Sequence, residues 1–453
     1  MTGRIINLSF DSTNSNPNLI ATIQSNLTNT ITNIQLITPT AFSSSNYTLI
    51  GSSAGIIRYS TDSINYTNTV TGENLVSSIN GIGAFIVSNS LTWIAYGAFN
   101  SGGNCIAYSS SGITNGFTNI PSIFAGTNVI GSINSIDYNN AYNSSTGLML
   151  LAGGSITSGG SVGLAPLAYS TNVSNWAQFS STNSPFTSTD VINSITYNYN
   201  ANIWLFGLNS RTGGTLVTAI NNFGTTFTFT SDTAASAILD SYIMAIVSNL
   251  TNNFFVAVGK GSGASANNRI MTSLTGNLGS WSVVSSNLFT DTTDVENNGT
   301  IWLISGSGTN SLAYSLNGTT WIGLLKNTVT NPFNSITQIK WSGTTWIACG
   351  LGATSAPVLA YSYSGITWTT ISTVTTITTS LGCLYPQVYQ FLLSNLYVEN
   401  SRDTNISPGT IQYNFDSADV DNNYQYNVMN TLIQNLYKMD LYTYSDPLTI
   451  TTL

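Results

Sequence analysis

The chain has 453 residues, of which only 6% are charged, with no histidine and a net charge of −8. Ordinary soluble proteins carry roughly 25% charged residues. The composition leaves no basic stripe for nucleic acid, no histidine triad and no histidine-liganded zinc. With 42% hydrophobic and 11% aromatic residues, the chain has material for a core, unlike a disordered polyanion.

At the N-terminus, Met1 to Asn7 holds no apolar run of signal-peptide length. No stretch approaches the ~18 apolar residues of a membrane span. The expectation is a chain without a Sec-type leader and without membrane insertion. Residues 1–30 precede the first repeat. Arg4 to Phe10 reads as a strand, either closing the repeat array or reaching a neighbour as an arm.

From residue 31 one phrase recurs: an apolar strand ending in Gly, a polar loop, a strand ending Ala-Tyr-Ser, a turn, then Trp. Clear copies run Trp346-Ile347-Ala348-Cys349-Gly350 to Trp368, Trp302-Leu303-Ile304-Ser305-Gly306 to Trp321, and Trp93-Ile94-Ala95-Tyr96-Gly97 to Thr114. Weaker copies have turns opening at Ser60, Ser170, Asn221 and Ser273. The copies recur about every 50 residues, a propeller-blade period.

A strand with period-two alternation precedes each apolar strand. Examples are Ile133-Asn134-Ser135-Ile136-Asp137-Tyr138 and Ile192-Asn193-Ser194-Ile195-Thr196-Tyr197. Gly-rich links such as Ser101-Gly102-Gly103 suit hairpins. Each unit therefore reads as four antiparallel strands. The predicted fold is all-β: a seven-bladed β-propeller of four-stranded antiparallel blades over 31–379, with a short mixed C-terminal tail. Six or eight blades, or a linear solenoid, are the alternatives.

The turns Ser315-Leu316-Asn317-Gly318-Thr319-Thr320-Trp321 and Ser362-Tyr363-Ser364-Gly365-Ile366-Thr367-Trp368 carry their own mechanics. Ser and Asn oxygens accept backbone N–H bonds, and Gly supplies positive φ. These turns resemble degenerate Asp-boxes, the Ser-x-Asp-x-Gly-x-x-Trp turns of sialidase-type propellers. The resemblance implies fold rather than catalysis, because in that family the turn joins strands three and four away from the active face. Only the first copy keeps the acid, Asp62, and it has Ser63 where the box has Gly. The early Arg-Ile-Pro of sialidases is missing; Gly3-Arg4-Ile5-Ile6 lacks the Pro. Repeat style and composition are also similar to propeller proteins of large DNA viruses of protists and algae.

No catalytic, cofactor-binding or metal site emerges, so neither a cofactor nor enzymatic activity is expected. Cys105, Cys349 and Cys383 are scattered and read as small buried apolar residues. Asp291-Thr292-Thr293-Asp294-Val295-Glu296 reads as a solvated inter-blade loop, since it misses calcium-loop spacing. The ligand-binding candidates are Arg211 and Lys260, placed in loops between second and third strands. Isolated solubilising charge is the plainer reading of both.

Residues 380–453 change character, with seven acids against Arg402 and Lys438. Val388, Phe391, Leu392 and Leu396 fall at helical spacing, as do Val428, Met429, Leu432, Ile433 and Leu436. This tail reads as a docking or assembly segment. The functional expectation is a non-enzymatic structural protein on a particle, a minor capsid or exterior virion component. Its partners would be other structural proteins, met through residues 380–453. A glycan- or receptor-binding propeller is the alternative, and a glycosidase the third reading.

Overall fold

A computed structural model describes residues 48–66, 68–69, 76–87, 90–98, 105–109, 116–120, 130–139, 149–156, 164–198, 203–209, 211, 214–221, 226–249, 254–262, 266–284, 287–371 and 378–383, with short strands at 4–5, 33–35, 397–399 and 451–452. The chain divides into two compact units, residues 1–43 with 389–453, and residues 44–388. In the first unit, β1 (Arg4–Ile5) pairs antiparallel with β32 (Thr451–Thr452), and β2 (Asn33–Gln35) with β31 (Tyr397–Glu399). The N-terminal strands thus pair with C-terminal ones. Both helical patterns of the tail lie outside the described residues.

The second unit is built almost wholly from antiparallel strands. Strands β3 (Thr48–Ser52), β4 (Ile57–Ser60) and β5 (Asn68–Thr69) form one sheet with β30 (Thr378–Cys383), in the order β30-β3-β4-β5. Strands β6 (Ser78–Val87), β7 (Ser90–Ala98), β8 (Ile106–Ser109) and β9 (Thr118–Asn119) make a run of four. Strands β10 (Ile130–Asn139), β11 (Met149–Ile156), β12 (Leu164–Ser170) and β13 (Trp176–Ser180) make the next. One residue pair, Ser132 with Ala98, joins these two runs into an eight-stranded sheet.

Four four-stranded sheets follow in simple meander order. The first is β14 (Ile192–Asn198), β15 (Ile203–Leu208), β16 (Leu216–Asn221) and β17 (Phe227–Ser231). The one-turn helix α1 (Thr233–Ser236) follows it, capped by Asp232. Next come β18 (Tyr242–Asn249), β19 (Phe254–Lys260), β20 (Ile270–Ser273) and β21 (Ser282–Val284). Then come β22 (Asp291–Asn297), β23 (Trp302–Ser307), β24 (Asn310–Ser315) and β25 (Ile322–Leu325). The last complete sheet is β26 (Phe333–Trp341), β27 (Trp346–Gly352), β28 (Pro357–Ser362) and β29 (Thr369–Thr370). The acidic segment 291–296 is therefore a first strand, β22, and not a solvated loop. Its Thr292, Asp294 and Val295 are buried, which a period-two acidic pattern conceals.

The core lies between sheets. Trp204, Phe206 and Leu208 pack with Met149 and Leu151 of the preceding run. Their strand neighbours Ile203 and Leu205 pack with Phe255 and Met271 of the following sheet. Alternate side chains of one strand thus serve opposite neighbours. This explains the continuous apolar run Ile203-Trp204-Leu205-Phe206: the second strand is covered on both faces.

First strands raise a different problem. Apart from β10, which meets β7 at one residue pair, each is an edge of its sheet, so its outward N–H and C=O groups lack ladder partners. A β-bulge in these strands supplies the answer. The extra residue is Asn80, Asn134, Asn193 or Thr293 in four of them. Bulges re-aim side chains, and these four reach the next first strand. Asn80 Nδ2 donates to the Ile133 carbonyl (3.0 Å) and Asn134 Nδ2 to that of Ile192 (3.1 Å). Asn193 Nδ2 donates to the Ile243 carbonyl (2.9 Å) and Thr293 Oγ1 to that of Ile336 (2.6 Å).

The residue after the bulge accepts an amide from the same neighbour. Ser135 Oγ takes the Ile195 N–H (2.9 Å), Ser194 Oγ that of Ile246 (3.1 Å), and Asp294 Oδ2 that of Ile339 (2.9 Å). At the equivalent position of β6 stands Gly81, which has no side chain. Tyr96 from β7 lies where a Gly81 side chain would be and takes the Ile136 amide with its hydroxyl. Tyr96→Phe is expected to cost about 1–2 kcal/mol, the penalty of a stranded buried amide, measured by urea unfolding. The bulge also explains the Gly near the end of five apolar strands, whereas β15 carries Leu208 at that register position. A side chain at Gly97, Gly154, Gly259, Gly306 or Gly350 would meet the carbonyl of the bulged strand opposite.

The turns between third and fourth strands close as their residues dictate. Ser315 Oγ accepts the Gly318 N–H (2.9 Å), and Asn317 Oδ1 accepts those of Thr319 (3.0 Å) and Thr320 (2.8 Å). Trp321 Nε1 donates to the Gly318 carbonyl (3.0 Å). Ser362, Ser364, Gly365 and Trp368 repeat the pattern. Partial burial alone would push the Asp62 carboxyl up. The amides of Asn65 and Ile64 and the Ser60 hydroxyl outweigh it and hold Asp62 well below the usual range. Gly318 has φ +74°, and a side chain there would enter the Phe254 ring. Gly318→Ala is expected to cost about 2–3 kcal/mol, read from the same unfolding curves.

Candidate functional site

The densest charge in the second unit sits on first strands. Asp137, Glu296 and Lys340 occupy matching positions on β10, β22 and β26. Each follows an apolar residue (Ile136, Val295, Ile339) paired with Ala152, Ile304 or Ala348 on the second strand. Asp294 and Tyr96 complete a hub drawn from four sets of strands.

Lys340 Nζ lies 2.6 Å from Glu296 Oε2. Burial alone would lower the Lys340 pKa, but the charges of Glu296 and Asp294 hold it well above the ordinary value. Lys340 is therefore a fixed cation, unsuited to act as a base or nucleophile. Burial pushes the Asp137 carboxyl up to about 7, against the Tyr197 and Tyr138 amides and the Lys340 charge, which favour ionisation. Burial likewise lifts Asp294 to about 6, opposed chiefly by Lys340. Burial lifts the Tyr96 phenol to about 12.

Each aspartate bridges two amides. Asp137 takes Tyr138 N–H on its own strand (2.8 Å) and Tyr197 N–H on β14 (2.7 Å). Asp294 takes Val295 N–H (2.9 Å) and Ile339 N–H on β26 (2.9 Å). A glycosidase pair needs one acid and one carboxylate facing a shared bond. Here the carboxylate oxygens face backbone amides. Among the described residues no group of three or more His, Cys, Asp or Glu could hold a metal ion. Cys105 and Cys349 are buried, and burial pushes both thiols up to about 12, leaving them inert as thiolates. The Cys383 side chain lies outside the described residues.

Of the two residues singled out from sequence, Arg211 lies between a second and a third strand, whereas Lys260 is the last residue of the second strand β19, paired with Tyr242, and not part of the loop after it. Arg211 Nε lies 3.2 Å from the buried Asp190, with the mostly buried guanidinium over the Phe186 ring. Lys260 Nζ lies 2.7 Å from Asp291, which also accepts the Tyr242 hydroxyl (2.9 Å). The hydrogen bond from Lys260, with that of Tyr242, holds Asp291 below its ordinary pKa despite partial burial. Arg269 is likewise committed, donating to the carbonyls of Thr290, Ala266 and Asn268. Arg211→Ala would strand a buried carboxylate. The expected loss is about 3 kcal/mol of stability, checked by chemical denaturation.

Sequence reasoning passed over Asp137, Lys340 and Tyr96. Asp137 left one signal: it interrupts an Ile-Asn-Ser-Ile-x-Tyr phrase whose next copy has Thr196 at that place.

No family model matches the chain, and no curated protein matches it. Solved structures do. A putative 6-phosphogluconolactonase from Bacteroides uniformis is 9% identical over 75% of this chain and 99% of its own, with TM-score 0.48. An ancestral GH74 enzyme is 14% identical over 72% of this chain and 44% of its own, with TM-score 0.49. The Swd1 β-propeller domain of Myceliophteria thermophila is 10% identical over 70% and 93%, with TM-score 0.41. None of these similarities bears on chemistry.

Proposed function

We propose that the chain is a non-catalytic β-propeller serving as an exterior structural component of a particle, of the minor-capsid kind. The observation that carries the reading is a row of exposed apolar side chains. Leu274, Leu316 and Tyr363 are 72%, 76% and 69% exposed, and each directly follows the turn-opening Ser of its sheet. Earlier copies place Thr61, Ser110 and Thr171 there. Ile322 and Leu325 on the outer strand β25, and Val329 beyond its end, are exposed as well. Clustered exposed apolar residues mark protein association. The charged side chains described above are spent on holding sheets together, which supports architecture over turnover.

Seven blades in a ring is the arrangement this reading uses. In its favour, successive first strands neighbour one another, and β30 neighbours β6 while pairing with β3. The sialidase-like turns and the virus-like repeat style belong to the same proposal, as does assembly through residues 380–453.

Quantitative mass spectrometry of purified particles from the source, with and without external protease, tests it. Abundant, protease-accessible chain is the expected result; absence from particles refutes the reading. Glycan binding is the second reading, favoured by Tyr363, an exposed ring set edge-on to Tyr361 at 5.7 Å. Binding on a glycan array that Tyr363→Ala abolishes would select it.

A further inference from the structure

The outer strand of each sheet presents an open edge, and proteins blunt such edges with shortness, bulges, charge or proline. Most outer strands of this chain are blunted. Strands β5, β9 and β29 have two residues each and β21 has three. Register shifts interrupt the pairing of β13 and of β25, and Lys326 directly follows β25. Strand β17 has none of these devices. Phe227-Thr228-Phe229-Thr230-Ser231 pairs with β16 through five consecutive residues without a shift. No charged residue and no proline lies between Arg211 and Asp232. Asp232 itself is buried, with its oxygens on the Ala235 and Gly279 amides.

Register decides which groups of β17 stay open. Asp232 N–H donates to the Leu216 carbonyl (2.9 Å), so residues 216 and 232 form a hydrogen-bonded pair. Hydrogen-bonded and non-hydrogen-bonded pairs alternate along an antiparallel ladder. The backbones of Thr228 and Thr230, opposite Ile220 and Thr218, therefore bond to β16. The N–H and C=O groups of Phe227, Phe229 and Ser231 point outward. Among the described strands only β16 pairs with β17. The three outward residues are evenly spaced about Phe229.

We propose that this edge is a self-association site: β17 strands of two copies pair antiparallel about a two-fold axis at Phe229. Phe229 then faces its own counterpart, and Phe227 faces Ser231 of the second copy. Each such pair exchanges two bonds, about six in all. Thr228 and Thr230, both exposed, come opposite each other as a favourable cross-strand pair. On the other face, the rings of Phe227 and Phe229, packed against Phe179, continue one aromatic layer across the axis.

Two features favour a second copy over an unrelated strand. The edge is self-complementary in spacing and in hydrogen bonding, as an isologous contact requires. It is also neutral in a chain of net charge −8, so two copies meet there without opposing like charges. Pairing consumes the edge, so association closes at two and does not propagate. A five-residue edge is small, which makes the dimer weak and concentration-dependent. The edge shares no residue with the apolar row of Leu274, Leu316 and Tyr363, and its pairing does not depend on a particle.

Sedimentation velocity of the whole chain tests the association. Between about 1 and 100 μM, monomer should give way to dimer and to nothing larger. Amide hydrogen exchange locates the contact. In dilute solution the Phe227, Phe229 and Ser231 amides should exchange fast, and at the upper concentration they should slow about tenfold. The Thr228 and Thr230 amides, bonded to β16, should change little. Ser231→Pro removes an outward N–H that β16 does not use, and Thr230→Lys charges the edge. Each should weaken the dimer about tenfold or more. A chain still monomeric at the upper concentration overturns the proposal. So does a dimer whose three outward amides exchange at the dilute rate, because its contact then lies elsewhere. Should both variants fail to fold, the concentration dependence of those amides in the unchanged chain decides alone.

Discussion

Asp294→Ala is expected to be among the most damaging single changes in the first strands, at about 2–5 kcal/mol. The residue does the work that two side chains share elsewhere. On β10 and β14, Ser135 and Ser194 each accept one amide across a seam. The equivalent residue on β18 is Ala245, which can accept nothing and so leaves the Val295 amide of the next strand unserved. Asp294 takes that amide itself and the Ile339 amide as well. Removing it strands two buried donors and leaves Lys340 with one fewer counter-charge. Ser135→Ala, by contrast, strands a single amide and should cost about 1–2 kcal/mol. Urea unfolding of both variants measures the ratio; equal costs would mean that the second carboxylate oxygen contributes nothing.

Lys340→Met should rival it, with a dependence on pH that identifies the cause. At pH 8 three carboxyl groups lose their only nearby cation among the described residues, and breaking a mostly buried pair in this way costs about 3–5 kcal/mol. At pH 5 the carboxyls can neutralise themselves by protonation, so the cost should shrink by roughly half or more. A methionine of similar length keeps most of the packing. Unfolding curves at the two pH values separate the readings. A cost that stays constant with pH would assign Lys340 a packing role.

The repeat itself was legible because it is written in residues with strong local requirements. Gly318 and Gly365 stand at positive φ, and Ser315 and Ser362 accept turn amides, as the motif demands. The apolar second strands were legible because burial on both faces leaves no polar alternation to misread. The segment 291–296 misled because alternating Asp, Thr and Glu looks solvated. Asp294 reaches the Ile339 amide and Glu296 reaches Lys340, partners 45 and 44 residues away in sequence, while Asp291 pairs with Lys260, 31 residues back. No window of local sequence contains that pairing.

Arg211 and Lys260 illustrate the same limit. Isolated charges in a charge-poor chain invite a functional reading. Their partners Asp190 and Asp291 become visible only when strands are laid side by side. Tyr96 is the least legible of all. Its role exists because Gly81 leaves a gap on the paired strand, a relation set by register.

The most direct test of this account is residue-resolved amide hydrogen exchange at neutral pH. The central claim is that side chains from one first strand close the open edge of the next. If so, the Ile195, Tyr197, Ile246 and Ile339 amides should be protected to the level of amides within the second strands β15 and β19. Exchange as fast as that of outward amides on the outer strands β17 and β25 would contradict it.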